Sequence, residues 1–300
     1  MRVVVVGDAL IDELRDDRGV REFVGGAALN VAIGLTRLGV PVTLIAMVGD
    51  DEPGGHIRSY LHDYGVDLLA SPGPLGSSRA VSTRTGGEPV YVFNEAAQHR
   101  AVVFGDDERR ACQDADLVVV SCFPLDDPDQ VQALADAIGE TPLAIDPNPR
   151  TGMMRDFDEF VRGFERLATR ARLVKIGEDD AALLYREPLD AVSGRLRDLG
   201  AEVVLATYGP AGAALDAAGV AVTAPIAKLP GRIVDTMGAG DAVLSAIAAS
   251  LVQDSPEGEG EWDAALRRAM DVAAATCRFE GALLRLPSAI GSDEVEHFGS

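Results

Sequence analysis

Short apolar runs and helix-like segments alternate along this chain almost from end to end, and that alternation limits the fold more than any other property. Residues 3–6, 42–48, 117–121, 143–145, 173–176 and 203–206 are brief, continuous and rich in Val, Ile and Leu. Runs without polar alternation suit strands covered on both faces, as in a parallel sheet. Between them, 27–38, 54–64, 130–138, 157–168, 179–185 and 191–199 carry apolar residues at helical spacing. Four of these segments close on glycine directly after an apolar residue: Leu38-Gly39, Tyr64-Gly65, Ile138-Gly139 and Leu199-Gly200. Glycine there accepts the left-handed backbone that ends a helix. Repeated strand–helix alternation predicts an α/β fold, a doubly wound, mainly parallel sheet flanked by helices.

Two stretches interrupt the pattern. Residues 13–24 are short and polar, and 81–93 show alternation; both read as antiparallel ribbon added to the main sheet and forming a small β lid. Residues 71–78 and 254–261 are loops by composition. With no internal repeat, the expectation is one domain over 1–300, its lid drawn from about 13–24 and 79–101.

Composition removes several function classes. The 300 residues carry 48 acidic and 27 basic side chains, a net charge of −21, so polyanionic partners such as nucleic acid or anionic lipid are not expected. A hydrophobic content of 47% excludes a disordered chain. Cys112, Cys122 and Cys277 are widely spaced with no CxxC pair, which argues against a disulfide framework or zinc site and fits a reducing cytoplasm. The longest mostly apolar stretch, 242–252, falls well short of the ~20 residues of a membrane helix. The N-terminal apolar run is too brief for a signal peptide. Only two lysines occur, Lys175 and Lys228, and neither follows a glycine, which excludes a Walker phosphate loop. The first strand turn, Gly7-Asp8-Ala9, lacks G-x-G-x-x-G and counts against a dinucleotide oxidoreductase.

The string Val234-Asp235-Thr236-Met237-Gly238-Ala239-Gly240-Asp241 precedes an apolar helix over 242–251. Glycines before a helix let backbone N–H groups converge on an anion, and the helix dipole favours negative charge there. Phosphate can thus be held at Gly238, Ala239 and Gly240 without any lysine. Asp241, in the first turn, is either a cap or a base able to take a proton from an attacking hydroxyl.

This string resembles the DTxGAGD signature of the ribokinase-like (PfkB) family of carbohydrate kinases. Other family motifs follow in order. Gly25-Gly26-Ala27-Ala28-Leu29-Asn30 is similar to the N-terminal signature, and Val48-Gly49-Asp50-Asp51 with Gly54 to the G-x-D segment after it. Thr207-Tyr208-Gly209-Pro210-Ala211-Gly212 resembles the T-x-G-x-x-G nucleotide turn. The likeness runs from the first strand to Pro287.

The resemblance implies roles position by position. Asp12, Gly25, Gly26 and Asn30 match sugar contacts, Asp241 the catalytic base, and Gly238 to Gly240 the anion hole. Thr207, Gly209 and Gly212 match the ATP contact. Lys175, matched to the nucleotide side as a cofactor-binding residue, ends a strand before Gly177-Glu178-Asp179-Asp180, a segment resembling the family's nucleotide-side Asn and acids. Gly177 stands where Asn or Ser is usual; Glu178 and Asp180 remain able to order water on Mg²⁺. Asp235 and Gly281 match a loop that binds a monovalent cation such as K⁺ in many members, while Arg285 stands where some carry Ser, and its guanidinium would replace the ion. Met237 and Val243 depart from the signature without touching its glycines or base.

Asp146-Pro147-Asn148-Pro149-Arg150 resembles the D-P-N-x-R segment of fructokinases, and Gly7–Asp12 their opening strand. Asn148 and Arg150 either orient phosphate or sugar, or belong to a loop shaped by its prolines. Tyr91 and Phe93 share one strand face: lid aromatics over the sugar, or ordinary core or dimer contacts. The implied activity is ATP-dependent phosphorylation of a small sugar at a primary hydroxyl, most like a fructokinase. Ribokinase, 2-keto-3-deoxygluconate kinase and nucleoside kinase are the rivals within the family, and a non-catalytic sugar or nucleotide sensor is the rival outside it. An exposed ribbon edge would also suit a homodimer through the lid.

Overall fold

The computed structural model describes residues 1–16, 19–83, 90–217 and 219–291. The chain opens with β1 (Val3–Gly7), β2 (Leu10–Asp16) and β3 (Gly19–Gly25), then α1 (Ala27–Arg37), β4 (Val42–Val48), α2 (Glu52–Asp63) and β5 (Asp67–Pro72). Next come β6 (Ser78–Thr83), β7 (Val90–Phe93), α3 (Glu95–Gln98) and α4 (Asp106–Gln113). The middle continues with β8 (Leu117–Ser121), α5 (Pro128–Ile138), β9 (Leu143–Asp146) and α6 (Phe157–Ala168). It is followed by β10 (Leu173–Gly177), α7 (Glu178–Tyr185), α8 (Leu189–Leu199) and β11 (Val203–Thr207). The hairpin β12 (Ala213–Ala217) and β13 (Val220–Ala224) and the helices α9 (Ala239–Gln253) and α10 (Glu259–Thr276) complete it.

Nine strands form the main sheet in the order β13-β12-β11-β10-β9-β8-β1-β4-β5. From β5 to β11 every pairing is parallel, and only β12 and β13 run antiparallel. β1 shows why the continuous runs become strands. Val3 and Val5 pack with α1, α2, α9 and α10 on one face, while Val4 and Val6 pack with α4 to α8 on the other. All four are fully buried, each contributing roughly 1.5–3 kcal/mol over an exposed valine. The doubly wound expectation is met.

α6 spans the 157–168 read from the sequence, because Phe160, Phe164 and Leu167 form one buried stripe and the Asp156 carboxylate accepts the Glu159 N–H at 2.9 Å. Other helices begin earlier than the apolar pattern suggests. α2 starts at Glu52 behind an Asp51 cap, and α5 at Pro128 behind Asp127, since cap and proline extend a helix past its first apolar residue. The 254–261 loop is shorter than expected because α10 begins at Glu259, and the 71–78 loop is trimmed by β5 and β6.

The expected ribbons do not extend the main sheet. They pair with each other in a separate four-stranded sheet of order β3-β2-β6-β7, in which two antiparallel hairpins meet through the parallel pair β2–β6. The first ribbon opens at Leu10 rather than at residue 13, and residues 95–98 are helical. Glu13 and Glu22 face each other across β2 and β3, where like charges repel. Arg79 on β6 offsets that, donating to Glu13 at 2.8 Å and to Glu22. No helix among the described residues is long and apolar enough to cross a membrane.

Candidate active site

The carboxyl ends of the parallel strands form one row. Gly7 pairs with Ser121 and Ser121 with Asp146, while Gly177 pairs with Thr207 farther along. Doubly wound sheets present their ligand crevice at this edge. Two non-glycine residues just past it hold left-handed backbone, Cys122 at φ 51° and Asn148 at φ 38°. Such positions cost on the order of 1–3 kcal/mol each and cluster where function demands them.

Asp241 projects from the first turn of α9. Gly238 caps that helix at φ 75°, and a Cβ there would lie 2.0 Å from the Ala282 carbonyl oxygen, so glycine is required. Asn30 on α1 donates its Nδ2–H to Asp241 Oδ2 at 3.0 Å, joining residues 211 apart in sequence. α1 and α9 approach closely because Gly34 faces Ser245; a Cβ at 34 would sit 2.6 Å from Ser245 Oγ. Burial pushes the Asp241 carboxyl up to about 6, against the Asn30 hydrogen bond; Asp146 adds to the rise, and Lys175 and Arg150 oppose it. A proton affinity in this range is the one a general base needs near neutral pH.

Beside it lies Lys175, expected on the nucleotide side but not against the glycines that precede α9. Lys175 Nζ donates to Asp146 Oδ2 at 2.9 Å, with Asp180 Oδ2 at 3.9 Å, and a Cβ on Gly240 would be only 3.2 Å from that nitrogen. The glycine turn that begins α9 is therefore not free of lysine: a strand 65 residues upstream brings an ammonium group against Gly240. Asp180 itself caps α7, accepting the Gly177 N–H at 2.9 Å, while Glu178 is exposed in the same first turn. The Gly177 N–H is thus used within the fold, and no side-chain amide stands at this position.

The start of the chain reaches the same Arg150 whose charge acts on Asp241. A Cβ on Gly25 would lie 2.3 Å from Asp12 Oδ2, and Gly26 holds φ 114° with its α-hydrogens against the Asp8 carbonyl. The second glycine therefore serves geometry, and the first keeps Asp12 accessible. Asp12 is pushed up to about 7 by burial and by the Asp8 charge, against Arg150. Asp8 was not singled out from the sequence. Its Oδ1 accepts the Ala28 N–H at 2.9 Å and its carbonyl accepts the Leu29 N–H, so it caps α1 from twenty residues away. An acid directly after the glycine of the first strand is the signal that could have marked it.

Arg150 is exposed on the cleft, and its charge holds down the proton affinities of Asp8, Asp12 and Asp241. Asn148 is buried beside it, its N–H on Asp146 Oδ1 at 3.2 Å. Phe93 packs against Ala27, Ala97, Cys122 and Met153, and a Cβ on Gly152 would strike its ring at 2.6 Å. The Tyr91 backbone pairs with Ser82, and its side chain lies outside the described residues. Arg100, also missed, donates to the carbonyls of Ala97, Cys122 and Met153 and ties this patch together.

On the far side, Thr207 ends β11, and Gly209 and Gly212 turn at φ 51° and 103°. A Cβ on Gly212 would meet the Ala224 carbonyl at 2.2 Å. Asp235 joins two loops, accepting the Met237 N–H at 3.1 Å and the Gly281 N–H at 3.3 Å. Arg285 is buried, stacked 4.7 Å from the Phe279 ring centroid. Among the described residues no three His, Cys, Asp or Glu side chains converge as a metal cage.

An acid at a glycine-bounded helix start, flanked by a polar pocket on one side and a glycine turn on the other, invites comparison with known proteins. The pattern of the pfkB family of carbohydrate kinases matches residues 1–289. The chain belongs to that family. A fructokinase from Rhizobium leguminosarum bv. trifolii is 29% identical over 264 residues, covering 84% of this chain and 80% of the relative. The solved fructokinase of Xylella fastidiosa with bound ATP superposes with a TM-score of 0.79 at 20% identity, covering 94% of this chain and 93% of that one. Aminoimidazole riboside kinase of Salmonella enterica, complexed with its riboside and an ATP analogue, gives 0.75 at 23% identity, covering 97% and 98%.

Within this carbohydrate kinase, the candidate site residues fall into four groups. Asn30 and Asp241 touch, Asp12 stands against Gly25, and Lys175 joins Asp146 and Gly240. Asp235 and Gly281 also meet. Sequence reasoning missed Asp8, Arg100, Asp146 as a charge partner and Cys122, whose neighbours come from distant segments.

Proposed function

We propose that this kinase transfers the γ-phosphoryl group of ATP to a primary hydroxyl of a small neutral sugar, a fructose-like ketose. The observation that carries this reading is the Asn30–Asp241 hydrogen bond, which holds a base of pKa about 6 between the Asp12 pocket and the glycine anion hole. Asp12, Gly25, Gly26 and Asn30 would bind the sugar, with Asn148 and Arg150 at the phosphate-facing rim. Asp8 and Asp12 suit hydroxyl donors and disfavour an extra anionic group on the substrate. The small sheet would act as the lid, Phe93 and Tyr91 at its inner end.

In the reaction Asp241 takes the hydroxyl proton as the sugar oxygen bonds to the γ-phosphorus, and the bond to the β,γ-bridging oxygen breaks, its electron pair leaving with ADP. The Gly238, Ala239 and Gly240 amides stabilise charge on the transferring group. Thr207, Gly209 and Gly212 would line the nucleotide, and the exposed Ile226, Ile233 and Val234 offer apolar surface nearby in sequence for a base. Mg²⁺ on the nucleotide would neutralise phosphate charge. The acids Glu178 and Asp180 fit an ion that keeps most of its waters and needs only one or two carboxylates.

Asp235 and Gly281 would hold a monovalent cation. Arg285 offers fixed charge in the same segment, so initial rates with and without K⁺ separate an ion from a guanidinium. The exposed Val20 and Val92 on the small sheet would be covered in a homodimer, which light scattering tests directly. Three unpaired cysteines suit a cytoplasmic enzyme.

A coupled ADP-release screen over hexoses, pentoses and ribosides tests the assignment. Fructose should give the highest kcat/KM, and Asp241→Asn should keep the fold while losing at least ~10³-fold in kcat. The riboside kinase likeness makes ribosides the second reading, and ADP release from none of these substrates would convert the protein into a sensor.

A further inference from the structure

We propose that Lys175 is a catalytic residue that binds the transferring phosphoryl group, and that Asp146 is the positioning residue that aims its ammonium at the anion hole. The proposal rests on the kinase reading above. Three observations support it.

First, the ammonium is held in place by one partner and otherwise uncommitted. Lys175 retains 6% exposure, and among the described residues Asp146 is its one hydrogen-bond acceptor, at 2.9 Å. Asp180 Oδ2, at 3.9 Å, lies beyond hydrogen-bonding distance. An ammonium carries three donors, so two remain for a ligand.

Second, the wall between that ammonium and the anion hole is a single α-carbon. A Cβ on Gly240 would stand 3.2 Å from Nζ and 3.6 Å from Cε, so any side chain there would crowd the lysine. Gly240, the second residue of α9, needs no left-handed backbone, so backbone conformation does not account for it. The glycine is explained by access.

Third, the local charge requires it. Asp146, Asp180 and Asp241 converge on this spot, and all three act on Lys175. A phosphoryl group entering among three carboxylates is repelled unless a cation meets it. Lys175 would donate to γ-phosphoryl oxygens as the sugar oxygen–phosphorus bond forms and the phosphorus–bridging oxygen bond breaks. The proton goes to Asp241, the electron pair goes to ADP, and Lys175 keeps its own proton throughout.

The competing account is that Lys175 merely neutralises Asp146 inside the fold. Removing the lysine alone leaves a buried carboxylate unpaired, and that variant can fail through misfolding. The decisive variant is therefore Lys175→Met combined with Asp146→Asn, which removes both charges together. A neutralising role predicts kcat within threefold of the parent.

The catalytic role predicts a kcat loss of about 10²–10³-fold, the scale of one oxyanion donor. Tm and sugar affinity by calorimetry should stay parental. ADP with aluminium fluoride should bind at least ~30-fold more weakly, while ADP alone changes less than ~3-fold. Asp146→Asn alone should lower kcat about tenfold with both KM values unchanged, the signature of misaimed rather than missing charge. Parental kcat in the double variant, or a loss confined to the KM for ATP, overturns the proposal. An inactive parent, or an active Asp241→Asn, instead overturns the kinase reading beneath it.

Discussion

Asp12 and Asp241 hold protons more tightly than a free aspartate because burial penalises their charged forms. The proposed mechanism needs both ionised, Asp12 to accept sugar hydroxyls and Asp241 to accept the reacting proton. kcat should therefore climb from pH 5 and level off above about 6, while kcat/KM for the sugar keeps rising to about 7. A flat sugar kcat/KM between pH 5 and 8 would remove both assignments. Stability runs the other way. A carboxyl raised in the folded state from 3.8 contributes stability that is full below that value and is lost as pH rises through the folded value. For Asp241 the loss is on the order of 2–3 kcal/mol. Asp241→Asn should accordingly raise Tm at pH 8 and change it little at pH 4, a comparison that calorimetry makes directly. Asp12, Asn30 and Asp241 were legible because each sits in a recognisable string. Lys175 was legible as a nucleotide-side residue and not as a neighbour of Gly240; it lies mid-strand in β10 rather than at a strand end, and strand order alone does not show how far a long side chain reaches.

At the scale of elements, the site depends on how closely α1 and α9 pack. Gly34→Ala places a methyl group 2.6 Å from Ser245 Oγ and 3.0 Å from its Cβ, so the helices must separate. Overpacking of this kind costs about 1–3 kcal/mol. The Asn30–Asp241 hydrogen bond should lengthen with it, lowering kcat more than sugar affinity. Adding Ser245→Ala removes the nearer atom and should restore part of both losses, a coupling that a double-mutant cycle measures. Strictly additive effects would separate the helix contact from catalysis. The buried strands and α6 were readable because large apolar side chains mark their faces. β12, β13 and α10 were not, because alanine, which fits either periodicity, supplies much of their buried face. The small sheet was read as two ribbons. Its join, β2 against β6, is a parallel pairing that no turn chemistry announces.

Over the whole molecule, a net charge of −21 repels ATP while local groups attract it. The positive potential is concentrated in fixed amides, Lys175 and Arg150, so the two fields act over different ranges. Long-range repulsion is screened within about 10 Å at 0.1 M salt, whereas contact interactions persist. Raising NaCl from 20 to about 200 mM should speed nucleotide association and raise Tm by a few degrees. Stopped-flow binding that slows with added salt would contradict this picture.

The bond between Asn30 and Asp241 also dates the enzyme's birth during synthesis. The 211 residues between them take roughly 10–40 s to translate at about 5–20 residues per second. Through that interval β1 already exists, yet α9, which covers one of its faces, does not. No truncated product emerging from the ribosome can hold the base in place, so premature phosphoryl transfer is excluded by topology. The same delay leaves a valine-rich strand uncovered, and holding it soluble until the last two helices arrive is a task for the cell's chaperones.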